Sequence, residues 1–180
     1  MGATTTIRER LGWDVTPELY ARIRRLWIDH SKAEDSRDLA GLIATLSEDC
    51  VYEIVPTGER WEGHAGARAF YTSFLRAFPD VRFDLREIVI GPQGVIEIAT
   101  MRGTQHGTWQ AQTGNGGRAE LDIVIYFPWD PLAERFAGER IYYDSGTLTR
   151  QLAGSHEGQF AASTSPAAPM PPPTHIVTSP

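Results

Sequence analysis

Three things are scarce in this sequence: cysteine, long apolar runs and positive charge. The single cysteine, Cys50, rules out an internal disulfide framework and any zinc cluster built on thiolates, so a reducing cytoplasm is the expected compartment. Cys50 opens an apolar stretch and reads as a core residue. Nowhere do about 18 apolar residues follow one another, and residues 1–15 hold no apolar core of signal-peptide length; neither membrane insertion nor secretion is expected. Lys and Arg number 17 against 23 Asp and Glu, a net charge of -6, which lacks the clustered basic face that a nucleic-acid partner requires. The five histidines, His30, His64, His106, His156 and His175, show no ligand-like pairing, and no Gly-rich loop leads from a strand into a helix with phosphate-binding spacing. Neither a metal nor a cofactor is expected. An apolar small molecule is the expected partner.

The 180 residues, 41% of them hydrophobic, suit one globular domain with a sizeable core. Residues 1–15 are polar and read as a flexible N-terminus, the domain runs over 16–153, and beyond it six of the 12 prolines lie among Ala, Ser and Thr. That last segment, 154–180, cannot build a core and is expected to be a disordered Pro-rich tail.

Thr16-Pro17-Glu18 starts a helix, with a capping hydroxyl and a proline suited to the first turn. Leu19, Ile23, Leu26, Trp27 and His30 recur at three- and four-residue spacing along it through about Ser31. Ser36 is placed as the cap of a second helix over 37–46, and a strand over 50–56 is followed by a short one over 60–62 that can pair back on it. A third helix opens at Gly63 and runs to about Phe78, with Ala69, Phe70, Phe74, Leu75 and Phe78 on its buried face. Extended segments over 81–90, 95–111 and 119–127 read as a meander, and after a loop over 129–138 a last strand, 139–143, leads into a terminal helix. Leu121, Ile123, Ile125 and Phe127 fill one face of the third extended segment, while Val124 and Tyr126 make the other face partly apolar. A second copy of the sheet is the simplest cover for that face, so a homodimer is expected.

Several local motifs narrow the fold: Trp61-Glu-Gly-His64 leading into an Ala-Arg-x-Phe-Tyr helix, Ala-Phe-Pro-Asp80-Val-Arg-Phe83, Gly103-Thr-Gln-His106-Gly107, and Tyr143-Asp144 with Leu148-Thr-Arg-Gln-Leu152. Together with the element order they resemble a SnoaL-like polyketide cyclase domain, within the superfamily of nuclear transport factor two and ketosteroid isomerase, over roughly 17–152. The resemblance implies an α+β fold in which a cone-shaped barrel of curved, mostly antiparallel sheet wraps around three N-terminal helices, with a short C-terminal helix. It also implies an apolar pocket in which a few side chains do acid–base chemistry without a cofactor, on a carbonyl-containing small molecule. The expected class is a cyclase, isomerase or lyase, with a non-catalytic binding protein and an epoxide or ester hydrolase as alternatives on the same fold.

On that reading Asp144 is the candidate general acid/base, at the end of the last strand, with Asp122 and His106 as the polar groups sharing its pocket. Alternation puts Arg140, Tyr142 and Asp144 on one face of the last strand and Ile141 and Tyr143 on the other, and the first set is taken as facing the pocket. Burial raises the pKa of such a carboxylate toward neutrality, where it can take and return a proton. Tyr52, Trp61, Tyr126, Tyr142 and Trp27 are the expected substrate-binding residues. Two departures matter: Glu53-Ile54 stands where a ketosteroid isomerase carries its proton-shuttling Asp, and Glu120 where an epoxide hydrolase of this fold needs Arg.

Overall fold

Thr6 accepts from the Glu9 backbone N–H while the Glu9 carboxylate reaches back to the Thr6 N–H. This reciprocal capping box fixes a short helix, α1 (Ile7–Leu11), inside the stretch expected to be flexible. The structure, a computed structural model, describes residues 6–153. The expected Pro-rich tail lies outside the described residues.

Thr16 caps α2 (Pro17–Asp35) as its sequence predicts, and the helix continues one turn beyond the expected end. Its inward stripe is Ile23, Trp27, His30 and Ala33, all buried. Asp38, not Ser36, caps α3 (Leu39–Ala44), accepting from the N–H groups of Ala40 and Gly41. The first strand, β1 (Leu46–Ile54), pairs antiparallel with β2 (Glu59–Glu62), and α4 (Gly63–Ala77) buries Ala67, Phe70, Tyr71 and Phe74; Ala69, expected inside, is exposed. The meander is β3 (Arg82–Gly91), β4 (Gly94–Thr104), β5 (Arg118–Asp130) and β6 (Arg135–Tyr143), and α5 (Ser145–Ala153) packs on β5.

The six strands form one curved, unclosed sheet in the order β2-β1-β6-β5-β4-β3. All neighbours are antiparallel except β1 and β6, which run parallel with Tyr52 opposite Glu139. Gly138 permits this approach: its φ is +109°, and a Cβ there would lie 2.0 Å from the Val51 carbonyl oxygen. Alternation, shifted by irregularities in β1, β3 and the β5–β6 pairing, then divides the sheet. Val95, Ala99, Met101, Leu121, Ile123, Ile125, Phe127 and Ile141 point inward to α2 and α4, as expected for β5. Outward lie Val89, Ile96, Val124, Tyr126 and Tyr142, between exposed or half-buried charged side chains. No helix among the described residues is long and apolar enough to cross a membrane.

Candidate functional site

Five elements bring polar side chains to one point inside the cone. α2 supplies His30, the end of α3 supplies Thr45, β1 supplies Tyr52, α4 supplies Tyr71 and β6 supplies Glu139; all five are buried. One carboxylate oxygen, Glu139 Oε1, is the hub. It accepts from Tyr71 O–H at 2.7 Å and Tyr52 O–H at 2.9 Å, and His30 Nε2 lies 3.0 Å away. The two phenol oxygens are 2.9 Å apart. No hydrogen bond within the described residues reaches the other oxygen, Oε2.

The hydrogen bonds constrain where the protons sit. The Thr45 hydroxyl donates to the Leu42 carbonyl oxygen at 2.6 Å, so its oxygen is left to accept from His30 Nδ1–H at 2.7 Å. His30 Nε2 then faces two groups at 3.0 Å, Glu139 Oε1 and the Tyr71 hydroxyl. Burial, and then the Glu139 charge, push the hydroxyls of Tyr52 and Tyr71 well above the ordinary phenol range, so both remain neutral donors.

Glu139 also lines a cavity of about 30 Å³, with room for one or two waters. The rest of the wall is apolar and rich in aromatic rings, including Phe70, Phe74 and Trp109, apart from Glu34, one helical turn beyond His30, and Tyr143. Burial and repulsion from Glu139 and Glu97 raise the Glu34 pKa well above its ordinary value. Glu97 lies on the inward face of β4; burial, reinforced by Glu139, raises its pKa to about 7, while the Trp27 indole N–H acts in the opposite sense.

The residues singled out by sequence fall elsewhere. Asp144 faces solvent and caps α5: it accepts from the N–H groups of Gly146 and Thr147 and from the Thr147 hydroxyl at 2.6 Å, which lowers its pKa. Asp122 lies on the outer face, paired with Arg86 at 3.0 Å and bonded to the Thr100 hydroxyl. The two aspartates share a shallow surface dent, which the cone wall separates from the cavity. His106 is exposed near Asp80, in the loop after β4. Of the expected binding residues, Tyr52 is at the hub and Trp27 is in the core beside Glu97. Trp61 packs edge-on to Phe70 at 5.2 Å, and Tyr126 and Tyr142 are on the outer face. The alternation along β6 holds, but the face is reversed: Glu139, Ile141 and Tyr143 point inward, and Arg140, Tyr142 and Asp144 point out.

Glu139, Glu97 and Glu34 were not singled out, although each carries a signal. Glu139 has the parity of Ile141, Glu97 that of Val95 and Ala99, and Glu34 continues the Trp27–His30 stripe. An ionisable residue in an apolar series marks an inward charge.

An α+β cone that encloses an apolar, acid-lined cavity is the class these features define. The sequence profile of the SnoaL-like domain family matches residues 25–138, and the chain belongs to that family. Among solved structures it is similar to a protein provisionally named a SnoaL-like polyketide cyclase from Jannaschia sp. CCS1, with 16% identity over 79% of this chain and 98% of that one at a TM-score of 0.65. It is similar also to a provisionally named polyketide cyclase from Pseudomonas putida KT2440, with 25% identity, 71% and 95% coverage and a TM-score of 0.60. A third is AclR, provisionally named a hydroxylase, from Streptomyces galilaeus, with 19% identity, 74% and 97% coverage and a TM-score of 0.61. No protein of curated function matches the sequence.

Proposed function

We propose that the protein is a cofactor-independent acid–base enzyme of the cyclase or isomerase type, acting on an apolar small molecule that carries a carbonyl group, in the cytoplasm. The observation that carries this is a buried carboxylate, Glu139, held at one oxygen by Tyr52, Tyr71 and His30 on the wall of an apolar cavity. Its other oxygen takes the proton from the carbon next to the substrate carbonyl. Tyr52, Tyr71 and His30 hold the group in place. Glu34, whose surroundings raise its pKa and so favour the neutral carboxyl, donates a hydrogen bond to the carbonyl oxygen, where negative charge develops as the enolate forms. The proton then returns to carbon, or the enolate carbon adds to a second carbonyl of the same molecule, closing a ring, and the alkoxide so formed takes the proton back from Glu139. The names of the structural neighbours support the substrate class.

The experiment begins with mass spectrometry of any ligand that co-purifies with the protein. That compound is then incubated in deuterated water, and exchange beside its carbonyl is followed by NMR. Exchange catalysed by the wild type and lost in Glu139→Gln is the expected result. Exchange that persists at the wild-type rate in Glu139→Gln sinks the assignment. The small closed cavity favours one alternative, a non-catalytic binding protein, for which the ligand is retained and no exchange occurs.

The same proposal includes a homodimer formed through the outer face of the sheet, where Val89, Ile96 and Tyr142 remain exposed. Sedimentation at micromolar concentration should show a dimer that Ile96→Glu converts to a monomer; a wild-type monomer refutes it.

A further inference from the structure

The cavity is too small for any substrate of the proposed class, so part of its wall must move. Most of that wall is strand and helix. Apart from Phe78, just past the end of α4, the exception is a hairpin over 109–112, in which Trp109 and Gln112 exchange two 2.9 Å backbone hydrogen bonds. Its two tip residues, Gln110 and Ala111, have φ of +47° and +62°, left-handed conformations that neither residue type favours. Trp109 is buried, with its indole edge-on to Phe70, Phe74 and Phe78 at centroid distances of 5.9, 5.2 and 6.5 Å. It forms part of the cavity wall.

The base of this segment is fixed and its tip is latched. At the base, His106 and Gly107 donate their N–H groups to the Ala77 carbonyl oxygen at 2.7 and 3.3 Å. Gly114 passes so close to His106 that a Cβ would lie 2.3 Å from its carbonyl carbon. At the tip the attachments are polar and side-chain mediated. Tyr143 O–H donates to Gln110 Oε1 at 2.7 Å, and Gln110 Nε2 donates to Glu59 at 2.6 Å and to Thr57 at 3.3 Å. Gln112 donates to the Thr149 hydroxyl on α5 at 2.9 Å. Such bonds exchange with water at small net cost, whereas the base would have to lose backbone bonds in a tight space.

We propose that the 109–112 hairpin is the gate of the cavity, that Gln110 is its latch and Trp109 its plug, and that a bound ligand places an apolar group of indole size and flatness where Trp109 now sits. The three phenylalanine rings already accept such a group at that point. On opening, the strained tip is released, the Tyr143 hydroxyl loses its partner Gln110 and is free to bond to a ligand oxygen, and the buried Glu139 becomes reachable. This rests on the reading of the cavity as the functional site.

The test is stopped-flow binding of 2-naphthol to the full-length protein. The wild type should bind in a slow phase whose rate levels off as probe concentration rises, because opening limits entry. Gln110→Ala removes all three tip bonds and should accelerate that phase by at least about three- to tenfold, the factor that loss of one ordinary hydrogen bond gives. Trp109→Leu should abolish the levelling-off, leaving fast association proportional to concentration. Equal opening rates in the wild type and Gln110→Ala overturn the latch. Binding to Trp109→Leu with none to the wild type overturns the gate and makes Trp109 an ordinary core residue. If Trp109→Leu does not fold, hydrogen exchange decides: the amides of Trp109 and Gln112 should exchange faster in Gln110→Ala than in the wild type, and unchanged protection overturns the proposal. Glu139→Gln separates the two readings, since it removes turnover if the proposed function holds but leaves the slow naphthol phase in place.

Discussion

The two faces of the sheet carry carboxylates in opposite states. On the inner face Glu97 and Glu139 are 7% and 3% exposed, and burial drives the pKa of Glu97 up. On the outer face the side chains of Asp122 and Asp144 are 69% and 68% exposed, and a hydroxyl and backbone N–H groups drive the pKa of Asp144 down. Glu120 behaves likewise, lowered by Arg102, which also pairs with Asp84. Chemistry at neutral pH belongs to acids held out of water, and on a strand that is decided by whether a residue's position is odd or even.

The contrast predicts a graded series of effects. The largest belongs to Glu139→Gln, which keeps shape but cannot take a proton: turnover should fall by roughly two to four orders of magnitude. Steady-state kinetics on the compound identified as substrate measures this, and near-normal turnover breaks the comparison. Next is Glu139→Ala, which strips His30, Tyr52 and Tyr71 of their shared acceptor and should cost about 3–5 kcal/mol in denaturant unfolding. A cost close to zero would show that water takes over the role of the carboxylate.

Glu97 gives the pH test. Its pKa in the folded protein, about 7, lies above its ordinary value of 4.5, so folding takes up a proton between those pH values. Its contribution is therefore most favourable below pH 4.5 and is lost as pH rises through 7; the difference corresponds to about 3 kcal/mol. Glu97→Gln should match the wild type near pH 4 and be the more stable protein at pH 8, as read by urea unfolding at both values. Equal stability at pH 8 would mean that the carboxylate is better solvated than its burial implies. The smallest effect belongs to the outer face. Asp144→Asn and Asp122→Asn should leave turnover and melting temperature unchanged, because Asn caps a helix about as well as Asp and Asp122 is open to solvent. A large loss of turnover in either would move the site to the other face.

Much of the fold was legible in the sequence because its signals are local. The cap at Thr16-Pro17, the aromatic face around Phe70 and Phe74, the turn at Gly91–Gly94 and the inward series Leu121 to Phe127 each act within a few residues. The site was not legible because its residues lie far apart: His30 and Glu139 are separated by 109 positions and meet only through the parallel pairing of β1 with β6, which no hairpin signal announces. Reading β6 as starting at Glu139, where it starts at Arg135, hid the strand interior in which that carboxylate sits. Asp144 was conspicuous for being a charge at the end of a strand, which is also where a helix cap belongs.

The pairing of β1 with β6 has a consequence for how the chain is made. Tyr52, Tyr71 and His30 leave the ribosome long before Glu139 does, so until β6 docks against β1 these three side chains have no carboxylate to satisfy them. The first half of the protein cannot close a dry core by itself, and its contacts with β6 are of long sequence separation, the kind that forms late. Completion of the fold and assembly of the acid–base centre are then one event, and a nascent chain that stops short of Glu139 has neither.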